Sequence, residues 1–168
     1  MRRYIFLFGI GVLFAVLAIL PTFSQDGKLR EPDVIYVPTP YEVVDKMFEL
    51  ADVRPGEIVY DLGCGDGRIP IRAAQKFGVR TWGFDINPKR VEESLENVDK
   101  SVPNVKNLVT IKLQDIFELD LSKADVITLY LLPTLNVKLI PQLDKLKPGC
   151  RIVSNRSLRP VSILCTYA

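Results

Sequence analysis

The run Val59-Tyr60-Asp61-Leu62-Gly63-Cys64-Gly65-Asp66-Gly67-Arg68 constrains this chain more than any other stretch. Glu57 to Leu62 is short, apolar and β-branched, the make-up of a buried strand. The pattern breaks at Gly63, Gly65 and Gly67, and Arg68 to Lys76 then reads as the start of a helix. Glycines at alternate positions let the backbone turn tightly and approach a ligand that a Cβ would exclude. The free N–H groups of the following helix favour electron-rich ligand groups. Many strand–turn–helix units carry glycines for packing alone, so the loop needs support from elsewhere in the chain. With that support it reads as the seat of a nucleotide-like cofactor.

Carboxylates supply the support. Arg80-Thr81-Trp82-Gly83-Phe84-Asp85 reads as a strand ending in an acid, and Ile86-Asn87-Pro88 follows. An acid about twenty residues past a glycine turn can take both hydroxyls of a ribose. Asn87 has the chemistry of an N-cap with Pro88 at the first helical position, so Asp85 is not needed to start the helix. A further acid, Asp115 in Leu113-Gln114-Asp115-Ile116, lies at the end of a third strand. The nicotinamide fingerprint G-x-G-x-x-G fits poorly. Counted from Gly63, Arg68 stands where its third glycine belongs, and Gly67 comes one residue early.

The pattern D-x-G-x-G-x-G, with an acid after strand two and another after strand three, resembles the class I S-adenosylmethionine-dependent methyltransferases. The resemblance implies S-adenosylmethionine as cofactor. It places Asp61, Gly63, Cys64, Gly65 and Gly67 in the loop beside the methionine part, Asp85 on the ribose and Asp115 facing the adenine amino group. Ile86, Ile116 and Thr39 complete the implied cofactor-binding set. Tyr36-Val37-Pro38-Thr39-Pro40, Leu131-Leu132-Pro133, Lys147-Pro148-Gly149 and Ile152-Val153-Ser154 narrow the likeness, which spans Val34 to Ser154. They resemble a group that includes mitochondrial and archaeal protein-lysine methyltransferases and their bacterial relatives. The implied reaction is direct displacement at a sulfonium methyl, with a protein lysine as acceptor. A small-molecule acceptor is the alternative, and a non-catalytic cofactor-binding remnant is the rival from another class. Tyr130, Leu132 and Pro133 sit where an acceptor would enter, and Tyr130 equally suits the core or a stacking wall.

Composition agrees with one small globular domain. The chain has 168 residues, 48% of them hydrophobic, and a typical domain holds about 100–150. Arg2 and Arg3 supply the formal charge of +2, so no broad basic field for nucleic acid is expected. Histidine is absent, which removes a Ser-His-Asp triad, an H-E-x-x-H zinc site and any imidazole base. Cys64, Cys150 and Cys165 are widely spaced, which fits neither a zinc site nor a disulfide framework. Cys64 reads as a small residue beside a cofactor rather than a nucleophile.

The N-terminus stands apart. Met1-Arg2-Arg3-Tyr4 is a basic start, Ile5 to Leu20 is an unbroken apolar run, and Thr22 and Ser24 are small. This fits a secretory signal over residues 1–24, cleaved after Ser24, or an uncleaved membrane anchor at residues 5–20. The expected location is therefore exported, periplasmic or secreted, or membrane-tethered. Residues 25–36 read as a linker, 37–154 as the methyltransferase domain and 155–168 as an atypical tail.

Thr39-Pro40-Tyr41-Glu42 reads as a capping box, with Thr39 as the cap and Pro40 in the first turn of a helix to about Ala51. Further strands are expected at Leu108–Leu113, Asp125–Leu131 and Arg151–Ser154. Helices are expected at Pro88–Asp99 and Thr134–Leu146, the second kinked at Pro141. The alternation gives an α/β fold, a doubly wound, mainly parallel sheet with its crevice at the C-terminal strand ends. The likeness implies a seven-stranded sheet, whereas only Asn155 to Ala168 follow strand five here. Truncation after the fifth strand is the expectation, with at most one more strand at Val161–Tyr167.

Overall fold

The computed structural model describes residues 36–156 and the backbone of residues 159–165. The leader and nearly all of the linker lie outside the described residues. Helix α1 spans Tyr41–Ala51, followed by β1 Ile58–Leu62, α2 Arg68–Phe77, β2 Arg80–Asp85 and α3 Pro88–Asp99. A short α4 at Pro103–Lys106 leads to β3 Val109–Leu113 and a 3-10 turn at Ile116–Glu118. Then come β4 Val126–Leu129, α5 Pro133–Leu143, β5 Arg151–Arg156 and β6 Arg159–Cys165.

One sheet runs in the order β3-β2-β1-β4-β5-β6, with β1 to β5 parallel and β6 antiparallel to β5. The expected doubly wound, mainly parallel fold is present. The further strand expected near Val161–Tyr167 forms at Arg159–Cys165 and pairs along β5. Strand β1 has β2 on one side and β4 on the other, so the order in which strands are added to the sheet reverses there. Ligands in such sheets bind outside the C-terminal strand ends at this reversal.

Strand alternation divides the core between two faces. Val59, Val126 and Val153 pack with Val44, Met47, Phe48 and Ala51 of α1 and with Ile69 and Ala73 of α2. Tyr60, Leu62, Ile127, Leu129 and Ile152 pack with Leu139 and Leu143 of α5 and with Ile116. Phe48 is fully buried, and truncating such a side chain to alanine costs about 3–5 kcal/mol. The last carbonyls of α1 have no partner inside the helix. Arg151 at the start of β5 takes up that of Ala51 at 2.9 Å, and also the carbonyl of Asp52 at 2.7 Å. Among the described residues no helix is long and apolar enough to cross a membrane.

Several boundaries differ from expectation. Helix α1 begins at Tyr41, with Pro40 as its N-cap and no side-chain cap, so Thr39 is not the cap. The Pro40 carbonyl accepts from Val43 and Val44, while the Thr39 carbonyl is drawn away by Arg68 at 2.9 Å. Strand β4 stops at Leu129 because its ladders end at the Leu62–Leu129 and Leu129–Ser154 pairs. Tyr130 to Leu132 therefore leave the sheet. Helix α5 starts at Pro133, whose missing N–H costs nothing at that position. It ends at Leu143, soon after Pro141, which cannot donate to the helix.

Candidate functional site

The glycine turn sits at the C-terminal end of β1. Gly63, Gly65 and Gly67 have φ of 84°, 56° and 78°, a left-handed conformation that other residues resist. The turn is stitched to β2. Gly63 N and Cys64 N both donate to Phe84 O at 2.9 Å, and Gly65 N donates to Asp85 Oδ2 at 2.9 Å. Helix α3 fixes the far side, where Ser94 Oγ donates to Gly65 O at 2.7 Å and Asn97 Nδ2 to Asp66 O at 2.9 Å. The missing Cβ positions admit protein walls. A Cβ on Gly65 would lie 2.1 Å from the Tyr36 ring, and one on Gly63 would lie 2.9 Å from Leu131 Cδ2.

Three carboxylates converge on the strand ends beside this turn. Asp85 closes β2; Oδ1 accepts from Asn87 N and Oδ2 from Gly65 N, both at 2.9 Å. A carboxylate oxygen accepts more than one hydrogen bond, so both retain capacity for a diol. Asp115 caps the 3-10 turn by accepting from Phe117 N at 3.0 Å, with Ile116 buried next to it and Ile86 half-buried after Asp85. Asp61 lies on β1 beneath the loop. Burial first, then the charges of Asp85 and Asp66, push its pKa up to about 7, against a hydrogen bond from Thr128. Cys64 is buried against Ser94; desolvation, then the charges of Asp61 and Asp85, push its thiol well above the ordinary value, which makes it a poor nucleophile.

A strap from the segment before α1 crosses the loop. Tyr36 covers Gly65, and the Arg90 guanidinium lies 4.9 Å from the Tyr36 ring centroid. Burial and the neighbouring Asp66 push the Tyr36 phenol upward, so it stays neutral. Arg68 pairs with Asp66 at 2.7 Å, holds the Thr39 carbonyl and lies over the Tyr41 ring at 5.4 Å. Burial opposes ionisation of Asp66, but Arg68 outweighs it and holds the carboxyl below its usual range. Thr39, in the same segment, is buried.

The acceptor candidates leave β4 next to Gly63. Tyr130 is half-buried, Leu131 touches the Gly63 position, and Leu132 and Pro133 are exposed at the start of α5. Val137 and Ile140 continue this apolar face along α5. Among the described residues no cluster of three metal-binding side chains occurs.

The structure thus gathers Asp61, Gly63, Cys64, Gly65, Gly67, Asp85 and Asp115 around one crevice, with Leu131 beside Gly63. Sequence reasoning missed Thr128, Ser94, Asn97 and Arg90, and did not foresee Tyr36 over Gly65. A hydroxyl within Asp125-Val126-Ile127-Thr128-Leu129 was a legible signal. The others depend on contacts about 30–55 residues away along the chain, which local pattern does not carry.

The crevice fits an adenosyl amino acid on its own chemistry. Asp61 Oδ2 is buried with no hydrogen-bond partner among the described residues, a position that a donor or cation satisfies. The Asp85 oxygens suit a ribose diol.

Comparison with known proteins gives a consistent picture. Residues 61–157 match the ANTKMT methyltransferase domain. A protein-lysine N-methyltransferase of Saccharolobus islandicus is 48% identical over 126 residues, covering 74% of this chain and 77% of that protein. The adenine nucleotide translocase lysine N-methyltransferase of Mus musculus is 30% identical over 159 residues, covering 89% of this chain and 68% of that protein. Against a human lysine N-methyltransferase that it matches at 26% identity, the chain spans 61% of the relative's length. A crystal structure of an RNA methyltransferase from Salinibacter ruber, in complex with S-adenosyl-L-homocysteine, superposes with a TM-score of 0.67 at 50% identity. It covers 70% of this chain and 76% of that one.

Proposed function

The chain belongs to the ANTKMT methyltransferase domain family, the class I S-adenosylmethionine-dependent methyltransferases, and on that premise we propose that it methylates a lysine side chain of a protein. One observation carries the cofactor half. Asp61, Asp85 and Asp115 stand at or just past the ends of three adjacent parallel strands, around a glycine turn hydrogen-bonded to Asp85. The lysine half is supported by relatives described as protein-lysine and adenine nucleotide translocase lysine methyltransferases.

S-adenosylmethionine, when bound, supplies a methyl group made electrophilic by its sulfonium. Asp85 would hold the ribose hydroxyls, Asp115 would face the adenine amino group with Ile86 and Ile116 alongside, and Asp61 would meet the amino-acid end. The glycine turn fixes these groups before the acceptor arrives, and positioning of reacting atoms supplies much of the rate. Leu131, Leu132 and Pro133 form an apolar lip beside Gly63. A lysine amine attacks only when neutral, and an apolar lip that strips water from it lowers its pKa. Direct displacement needs no side-chain base, in keeping with a chain that has no histidine.

An RNA acceptor is the second reading, because the 50%-identical solved relative is described as an RNA methyltransferase. Beyond Arg2 and Arg3 the bases and acids of this chain balance. Binding of nucleic acid rests largely on cationic contacts to phosphate. Labelled cofactor, the full chain and a host extract separate the readings. Label that survives ribonuclease and is recovered as methyl-lysine after protein hydrolysis is the expected outcome. Label lost to ribonuclease, or found only in small solutes, overturns the lysine assignment.

We further propose that residues 1–24 form a leader or anchor that places the domain outside the cytoplasm or against a membrane. The basic start and the apolar run Ile5 to Leu20 support this. A mature N-terminus at Gln25, or intact Met1 in the membrane fraction, is the expected result of fractionation with N-terminal sequencing. Intact chain found only in the soluble cytoplasmic fraction overturns it.

A further inference from the structure

The strap at residues 36–40 carries an inference that rests on the cofactor reading and goes beyond it. Tyr36 and Thr39 turn inward, while Val37, Pro38 and Pro40 are exposed. Among the described residues, 36–39 make no backbone-to-backbone hydrogen bond. Two of the five residues are prolines, which have no N–H to donate and hold φ at about −65°. Pro40 is extended, at φ −57° and ψ 143°. Such a segment is stiff and moves as an arm rather than as a coil.

One end of the arm is pinned. Pro40 is the N-cap of α1, whose Met47 and Phe48 are fully buried, and Arg68 holds the Thr39 carbonyl at 2.9 Å. Side-chain contacts alone hold the other end. The Tyr36 ring lies on Gly65, so close that a Cβ there would stand 2.1 Å from Cε2. The Arg90 guanidinium, from the first turn of α3, covers that ring at 4.9 Å from its centroid and pairs with Glu93 at 2.6 Å. The Tyr36 hydroxyl is buried with no hydrogen-bond partner among the described residues, so the ring makes the contact. The floor beneath is fixed, because Gly65 N donates to Asp85 and Gly65 O accepts from Ser94.

We propose that residues 36–40 form a clasp over the glycine turn and that Arg90 is the positioning residue that latches Tyr36 shut. Opening of the clasp sets how fast the cofactor enters and its demethylated product leaves. A gate differs from a wall in its kinetics. Contact with a bound ligand slows only departure. A gate slows entry and departure alike and leaves affinity nearly unchanged, because it acts on the barrier between the free and bound states.

Surface plasmon resonance on the full chain reads both rates for S-adenosylhomocysteine. Arg90→Ala and Tyr36→Ala are expected to raise association and dissociation together by about 3- to 30-fold, the span of a cation–π contact, while Kd moves by less than about threefold. Tyr36→Phe should keep the wild-type rates, and Arg90→Lys should fall between wild type and Arg90→Ala. Glu93→Gln, which removes the ion pair and leaves the ring contact, should change neither rate. Faster dissociation with unchanged association would make Tyr36 a fixed wall and overturn the clasp. Unchanged rates in Arg90→Ala, or equal effects of Glu93→Gln and Arg90→Ala, would overturn it too, and all three outcomes leave the cofactor assignment standing. Failure of the wild type to bind S-adenosylhomocysteine would overturn the cofactor assignment, and this inference with it.

Discussion

The two walls of the crevice are built on different principles. The proposed cofactor wall, at the ends of β1 and β2, is a set of hydrogen bonds. Phe84 O, Asp85, Ser94 and Asn97 each hold a named atom of the loop. The proposed acceptor wall, where β4 gives way to α5, has exposed apolar side chains at Leu132, Val137 and Ile140. A ligand of one fixed chemistry is best met by rigid donors and acceptors, because preorganisation removes the cost of ordering them at binding. A polypeptide acceptor is met by shape and apolar contact. The contrast teaches that cofactor affinity and acceptor choice should be separable by mutation.

The harshest way to break the cofactor wall is Gly65→Ala. The left-handed backbone resists any side chain, and the new Cβ would collide with the Tyr36 ring. A loss of S-adenosylhomocysteine affinity beyond about 100-fold is expected, with about 1–3 kcal/mol of lost stability. Calorimetry and chemical denaturation check it; unchanged binding would show that the loop is not the cofactor wall. Next comes Asp85→Ala, which removes the acceptor for Gly65 N and Asn87 N as well as the proposed ribose contact. A charged hydrogen-bonding partner is worth about 1.5–3 kcal/mol, so affinity should fall by about 10- to 150-fold. Equal affinity in wild type and variant would remove Asp85 from the site.

A subtler effect follows from Asp61. Its folded pKa of about 7 lies above the ordinary 3.8, so between those values the native state binds more protons than the unfolded chain. Stability of the ligand-free protein from this group is complete below about pH 4 and lost as pH rises through about 7. The melting temperature of the ligand-free wild type should fall across that window, and Asp61→Asn should flatten this component of the fall. A melting temperature that rises with pH there in wild type but not in Asp61→Asn would reverse the assignment. The smallest effect sharpens the contrast from the other side. Leu132→Ser should change stability by less than about 0.5 kcal/mol and leave cofactor affinity intact, while raising KM for the acceptor. Weakened cofactor binding in that variant would show that the two walls are not separable.

Legibility in the sequence followed how local each signal was. Strand β2 and helix α3 fall where the sequence places them, because Asp85, Asn87 and Pro88 mark the boundary through their own backbone chemistry. The Asn87 side chain accepts from Lys89 N as an N-cap should. The capping box at Thr39 was also a local signal, yet a distant residue overrode it. Arg68 holds the Thr39 carbonyl, and α1 starts at Tyr41, with Pro40 as the N-cap in place of Thr39. The short α4 and the 3-10 turn after Asp115 were not anticipated, since neither is long enough to show a hydrophobic period.

By itself the sequence determined the alternation of strands and helices, the glycine turn and the acids that follow strands two and three. Each is encoded within a few residues, by backbone freedom at glycine, by capping and by the period of apolar side chains. Tertiary structure alone decided that Thr128 grips Asp61, that Tyr36 covers Gly65 and that Leu131 stands against Gly63. These partners lie about 30–70 residues apart along the chain. Thr128 and Leu131 reach the end of β1 because a parallel sheet sets β1 between β2 and β4, and no local preference records which strand will be the neighbour.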